Sequence, residues 1–173
     1  MTTALNYFDG TFDDQVSSFA IDSQSDDLNS MQQDGAKSIV DLAGEYMSTT
    51  PCTNFALKAR VIGRLSDIQV RDFGLGSHSA QTLDTYWMMW RELSDLAPPH
   101  FIAPVACLFA ALSYERGEDA LAEQSLRRAL DDDPSYSLAL LLRRVFSAHW
   151  PASSFTAMRS ELHPKVCAAI FGE

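Results

Sequence analysis

Cysteine is scarce and odd in number, and Cys52, Cys107 and Cys167 each stand more than 50 positions from the next. That spacing excludes a disulfide framework and a zinc knuckle and predicts reduced thiols. Histidine is equally thin. His78, His100, His149 and His163 include no i, i+4 pair of the kind that holds zinc on a helix. Long apolar runs are missing too, since the longest, Phe101 to Leu112, is too short to cross a bilayer. Residues 1–10 have no basic start followed by an apolar core, so no secretory signal is read and a cytoplasmic location is expected. Positive charge is the last deficit: 13 Lys and Arg face 23 Asp and Glu, and the formal net charge of −10 repels a phosphate backbone. Direct nucleic-acid binding and membrane insertion are therefore not expected, and no cofactor motif is present. A chain of 173 residues suffices for one cored domain, with or without an arm.

The charge that is present is unevenly placed. Residues 1–36 hold seven Asp and no Lys or Arg, in a stretch rich in Ser, Gln and Asn, and residues 1–35 read as an acidic arm. Tyr7, Phe8, Phe12, Val16 and Phe19 punctuate it, and Phe12, Val16 and Phe19 fall at i, i+4 and i+7, one helical stripe. The stripe either docks on the chain's own body or, with Asp13 and Asp14, serves as an acidic, aromatic motif for another protein.

Beyond the arm, residues 36–173 read as a helical domain. The spacing predicts a helix over 36–47, with Asp34 as its cap, and a second over 55–65. Ser66-Asp67-Ile68-Gln69 has the form of a capping box, so a short helix is expected to start at Asp67 and to stop at Gly74 and Gly76, one of them left-handed. Leu83, Tyr86, Trp87, Trp90, Leu93 and Ala97 recur at three and four positions until Pro98-Pro99 forbids continuation. Of the neighbouring Met88 and Met89, only one can face inward with the tryptophans. Phe101 to Leu112 is apolar at every position but Pro104, which marks a central helix. After Pro151, two short helices around Pro164 are expected to cap the body or, alternatively, to form a dimer contact.

From Phe109 to Pro134 the chain reads as a helical hairpin. Ala110, Gly117, Ala122, Leu126, Ala129 and Pro134 fall at the intervals of one tetratricopeptide repeat, which this stretch resembles. A further helix over 136–149 would begin the next repeat, giving a tetratricopeptide-like segment over about 103–149. The usual aromatic of the first helix is replaced by Ser113, and no second copy exists, so the hairpin must lean on the helices before it. Taken together, Arg64 to Asp72, Trp90-Arg91-Glu92-Leu93, Ala103-Pro104, Arg116-Gly117 and Arg127 to Ala139 resemble the C-terminal helical part of an actinobacterial family, domain of unknown function 4192, over about residues 58–150. The resemblance implies a helical fold and no assigned activity. It also implies that the family's N-terminal region is replaced here by the acidic arm, so that a shortened relative would act as partner or competitor of something the longer proteins bind.

Candidate sites are few. Arg127, Arg128, Arg143 and Arg144 flank Asp131-Asp132-Asp133, and a solvated ion-pair network is expected, with Glu123 placed to pair with Arg127. Arginines that fail to find those carboxylates would instead form a patch for an acidic partner, the chain's own arm included. Gly74-Leu75-Gly76-Ser77 lacks the Lys of a phosphate loop and reads as a helix end. Arg71 and Asp72, adjacent on a helix, are expected to point apart toward neighbouring helices. Cys107 belongs to the most apolar helix and reads as core.

The reading is an all-α fold of about seven to eight helices. Its expected role is a non-catalytic adaptor that binds another protein through Tyr7, Phe8, Phe12, Asp13, Asp14 and Phe19 or through Arg127, Arg128, Arg143 and Arg144, with a homodimer possible. Two other classes remain open: an acidic inhibitor that mimics nucleic acid, and an enzyme with a site around Arg71, Asp72 and Arg116.

Overall fold

The computed structural model describes residues 11–48 and 51–172, so Tyr7 and Phe8 lie outside the described residues. Among the described residues there are nine helices and no strand, and the all-α reading stands. The centre is α6 (Ile102–Glu115), in which every residue from Ala103 to Tyr114 is buried. Pro104 lies in its first turn, where its missing amide has no intrahelical acceptor to forgo. The amides that do need acceptors there are met by α7 (Asp119–Asp132). Asp132 Oδ2 accepts from the Ile102 and Ala103 amides at 3.1 and 2.9 Å, and Oδ1 from that of His100 at 2.8 Å. Gly117, at φ 79°, turns the chain between the two helices. Ala122 and Ala129 are fully buried on α7, small enough for the backbones to approach.

Around this hairpin stand α5 (Leu83–Leu96) and α8 (Ser137–Ser147). On α5, Met89 and Trp90 are fully buried while Met88 is 50% exposed, as the spacing requires. Ser113 tolerates burial because its Oγ accepts from Trp87 Nε1 at 3.0 Å.

The N-terminal half comprises α1 (Phe12–Ser18), α2 (Leu28–Ser48), α3 (Phe55–Arg64) and α4 (Ile68–Gly76). Here several expectations are corrected. α2 begins at Leu28, not near Ala36, and Asp34 lies inside it, where it pairs with Arg60 at 3.0 Å and Arg64 at 2.8 Å instead of capping. Asp67, not Ser66, caps α4, accepting from the amides of Gln69 and Val70, while Ser66 Oγ accepts from the Ile21 amide. α4 does end at Gly76, but neither Gly74 nor Gly76 is left-handed: the positive-φ glycines described are Gly117 and Gly172. Gly74 and Gly76 serve close packing, since a Cβ would meet Leu108 at 3.1 Å and the His163 ring at 2.5 Å.

The arm's stripe docks on its own body. Val16 is fully buried, Phe12 meets Phe55 edge-on at 6.4 Å, and Phe19 lies under the guanidinium groups of Arg60 and Arg64 at 4.8 and 5.3 Å. Gly63 permits this, because any side chain there would strike the Val16 carbonyl and Phe19. At the other end, one helix, α9 (Ala152–Phe171), replaces the two expected and continues through Pro164. The carbonyl that Pro164 leaves without a donor belongs to Ser160, an exposed residue, so water meets it and the helix continues.

Two outcomes follow. Asp132→Ala removes the acceptor for three amides and is expected to lower stability by about 1–3 kcal/mol in urea unfolding. Gly63→Ala is expected to detach α1, seen as loss of amide-exchange protection confined to residues 12–18 while α6 stays protected.

Candidate functional site

α8 and α9 both rest on α6 but scarcely touch each other, and the gap between them, floored by α4, is a cleft of about 480 Å³. Leu75 of α4, Leu138 and Leu141 of α8, and Met158, Leu162 and Val166 of α9 line it. Leu141 and Leu162 are 44% and 47% exposed, large aliphatic groups left half in water at the rim.

One end of the cleft is polar. Arg71 is buried, and its Nε and Nη2 donate to Asp72 Oδ1 at 2.9 and 2.7 Å, so these neighbours pair with each other and do not point apart. The long arginine stem folds back to the nearest half-buried carboxylate, and Nη1 reaches Ser137 Oγ at 3.4 Å. Burial disfavours the Arg71 charge, but Tyr136 and Asp72 outweigh it and raise its pKa. Burial likewise pushes Tyr136 up to about 12, against the pull of Arg71.

Beneath the cleft α9 is locked to α6. The Glu115 carboxylate, 3% exposed, accepts from His78 Nε2 and Arg159 Nε, each at 2.5 Å, and from Thr156 Oγ1 at 3.0 Å. Burial alone would raise the pKa of Glu115; the hydrogen bonds from His78 and Arg159, with their charges, outweigh it and hold it below 4.5. His163 is held below its usual value by burial first and by Arg159 and His78 next, and its Nε2 lies 3.5 Å from Cys167 Sγ. A second ion pair, buried on its lysine side, joins α2, α3 and α5: Lys58, with a fully buried side chain, donates to the Cys52 carbonyl at 2.7 Å and pairs with Glu92, which also accepts from Tyr46. Neither lock was anticipated as such, yet a signal existed. Lys58 shares a stripe with Val61, Ile62 and Leu65, and Glu115 with Leu108, Ala111 and Leu112, so each charge sits at an apolar register position.

The residues singled out from sequence fall in different places. Phe12 and Phe19 are spent on the chain's own α3, Asp14 closes a capping box with Thr11, and Asp13 is exposed. Arg127 and Arg128 lie on α7 beside α5, whereas Arg143 and Arg144 are exposed on α8. The expected network with the three aspartates does not form. Asp132 caps α6, Asp133 accepts from Ser135, and Glu123 does not pair with Arg127 among the described residues. The reason is positional: the α6 amides reach Asp132 first, and fixed amides outcompete mobile side chains. Arg116 does not join Arg71 and Asp72; it stacks on Trp87 at 3.9 Å and pairs with Asp84 at 3.4 Å. Cys107 is fully buried, and burial pushes its thiol up to about 12. Among the described residues, no three His, Cys, Asp or Glu side chains stand together as metal ligands would, and no helix is long and apolar enough to cross a membrane.

Residues 4–153 match the model of the family described as Domain of unknown function (DUF4192). The chain belongs to that family. The DUF4192 match begins well before the motifs at 58–150 and takes in the acidic segment with α1 and α2. α9, from Ala152, falls almost wholly beyond it. No curated protein and no solved structure matches the chain.

Because the Glu115 pKa is lower in the folded chain than its ordinary 4.5, its contribution is complete above that value and is lost as pH falls through the lowered one. Glu115→Gln is therefore expected to cost about 3 kcal/mol at pH 7, and the gap to the native chain should close as pH falls below the ordinary glutamate value in urea titrations.

Proposed function

We propose that this DUF4192 protein is a non-catalytic protein-binding module of the cytoplasm, whose cleft between α4, α8 and α9 takes an apolar helical segment of a partner. The observation that carries this reading is the pair Leu141 and Leu162, two large aliphatic side chains half exposed across a walled groove that also offers Met158 and Val166. A partner helix with anchors at i and i+3 or i+4 has the spacing to fill such a groove. The charged groups at its end support binding over chemistry: Arg71 is committed to Asp72, and Arg159 to Glu115. The order α6, Gly117 turn, α7, α8 also supports the repeat-like reading, in which successive helices build a concave surface for another chain. Lys165 at the rim favours a partner segment carrying a carboxylate beside its apolar anchors.

A photo-crosslinking residue at Leu141 in the native host is expected to capture one protein at this position. With that protein purified, Leu162→Glu should weaken its affinity at least tenfold by calorimetry, while Met88→Glu, on α5 and outside the cleft, leaves it unchanged. Equal affinities for the native chain and Leu162→Glu would overturn the assignment.

A further inference from the structure

A second groove, about 590 Å³, runs between α5 and α7 and shares no lining residue with the cleft. Phe109 and Leu121 give it an apolar lining, and Arg91, Arg127 and Arg128 bring three guanidinium groups to it. Two carboxylates, Asp95 and Asp131, face the same space, so the groove carries a positive excess within a chain of net charge −10.

The arginines are incompletely used. Arg128 donates to Ser94 Oγ at 2.9 Å and meets Asp95 only at 3.6 Å, with that carboxylate 75% exposed. Arg127 has Glu123 and Asp131 one helical turn to either side and pairs with neither among the described residues. The Arg91 guanidinium lies 5.4 Å from the centre of the Trp87 ring, which leaves its N–H edges available. Planar guanidinium groups match carboxylates bidentately, and such charge-assisted pairs are stronger than neutral hydrogen bonds.

The shape selects among anionic ligands. From Leu121 to Asp131 the groove follows ten residue-to-residue steps along α7, about 15 Å at 1.5 Å per step, the span of four or five residues of extended peptide. That is longer than a small carboxylate needs. A nucleic-acid strand would extend past the three arginines onto a surface whose net charge repels it. We infer that the α5/α7 groove binds an acidic peptide segment of a partner protein, its carboxylates on Arg127 and Arg91 and one apolar side chain over Phe109 and Leu121.

The test is fluorescence anisotropy on the full chain with a labelled peptide of alternating Glu and Asp around one central Phe. Two control peptides carry Gln and Asn for the acids, or Gly for the Phe. The acidic peptide is expected to bind at least tenfold more tightly than its amide counterpart and several-fold more tightly than the Gly form, and to weaken as salt rises. Arg91→Gln with Arg127→Gln should reduce its affinity at least tenfold, while Leu162→Glu in the cleft leaves it unchanged, so this groove and the cleft fail or succeed separately. Equal binding of acidic and amide peptides, an unaffected double variant, or no binding of the acidic peptide at low salt would overturn the inference. So would a single-stranded oligonucleotide that binds as tightly and is lost with the same variant, or self-association in sedimentation that the variant abolishes.

Discussion

A helix with no polar side can exist in water only if other elements surround it, and α6 imposes that demand on the rest of the chain. Its burial from Ala103 to Tyr114 calls α5, α7 and α8 to its flanks and brings α4 and α9 against it. Apolar surface removed from water contributes about 25 cal/mol per Å², so a helix buried all round is a dominant source of stability for a chain of this size. The two ends of such a helix are its weak points, because backbone amides and a terminal carboxylate cannot be left dry and unpaired. Asp132 satisfies the first end and the His78–Arg159 pair the second. Each of these side chains comes from a different segment, so satisfying α6 also fixes where α7, the α4–α5 connection and α9 must lie.

The two surfaces described above are residues of that same requirement. Helices placed by contact with α6 need not contact one another, and where α8 and α9 diverge a cleft remains; where α5 and α7 flank Phe109 a second one does. Their chemistry differs because the outer faces differ. The first offers Leu141 and Leu162, the second Arg91, Arg127 and Arg128. Stacked helices acquire binding surfaces in this manner without any dedicated loop, and the fold alone does not dictate the ligand.

The helices were legible where periodicity was strong and uninterrupted. Leu83 to Ala97 and Phe101 to Leu112 read as they fold, as does the turn at Gly117, and the spacing requires that one of Met88 and Met89 stay exposed, which is Met88. Prediction failed where tertiary contacts decide. α2 reaches back to Leu28 through Ser, Asn and Gln because Gln32 and Asp34 find partners in Asp67, Arg60 and Arg64, none of them local. Pro164 did not end α9 because its lost bond faces solvent. Helix geometry alone sends Arg71 and Asp72 in opposite directions, because it ignores the length and reach of a guanidinium stem. The locks at Lys58 and Glu115 were visible only as charges on greasy stripes, and their partners Glu92 and Arg159 lie 34 and 44 positions away. Such pairings are three-dimensional facts with no local signature.

The Glu115–Arg159 contact binds the residues that match the family to a helix lying almost wholly beyond the match. An acid shielded at 3% exposure is tolerable here because α9 supplies its counter-ion. Removing α9 from this chain would present that carboxylate to solvent with no guanidinium to hold it. The carboxylate at the end of α6 and the guanidinium on α9 thus depend on each other, and α9 belongs to the folding unit it covers.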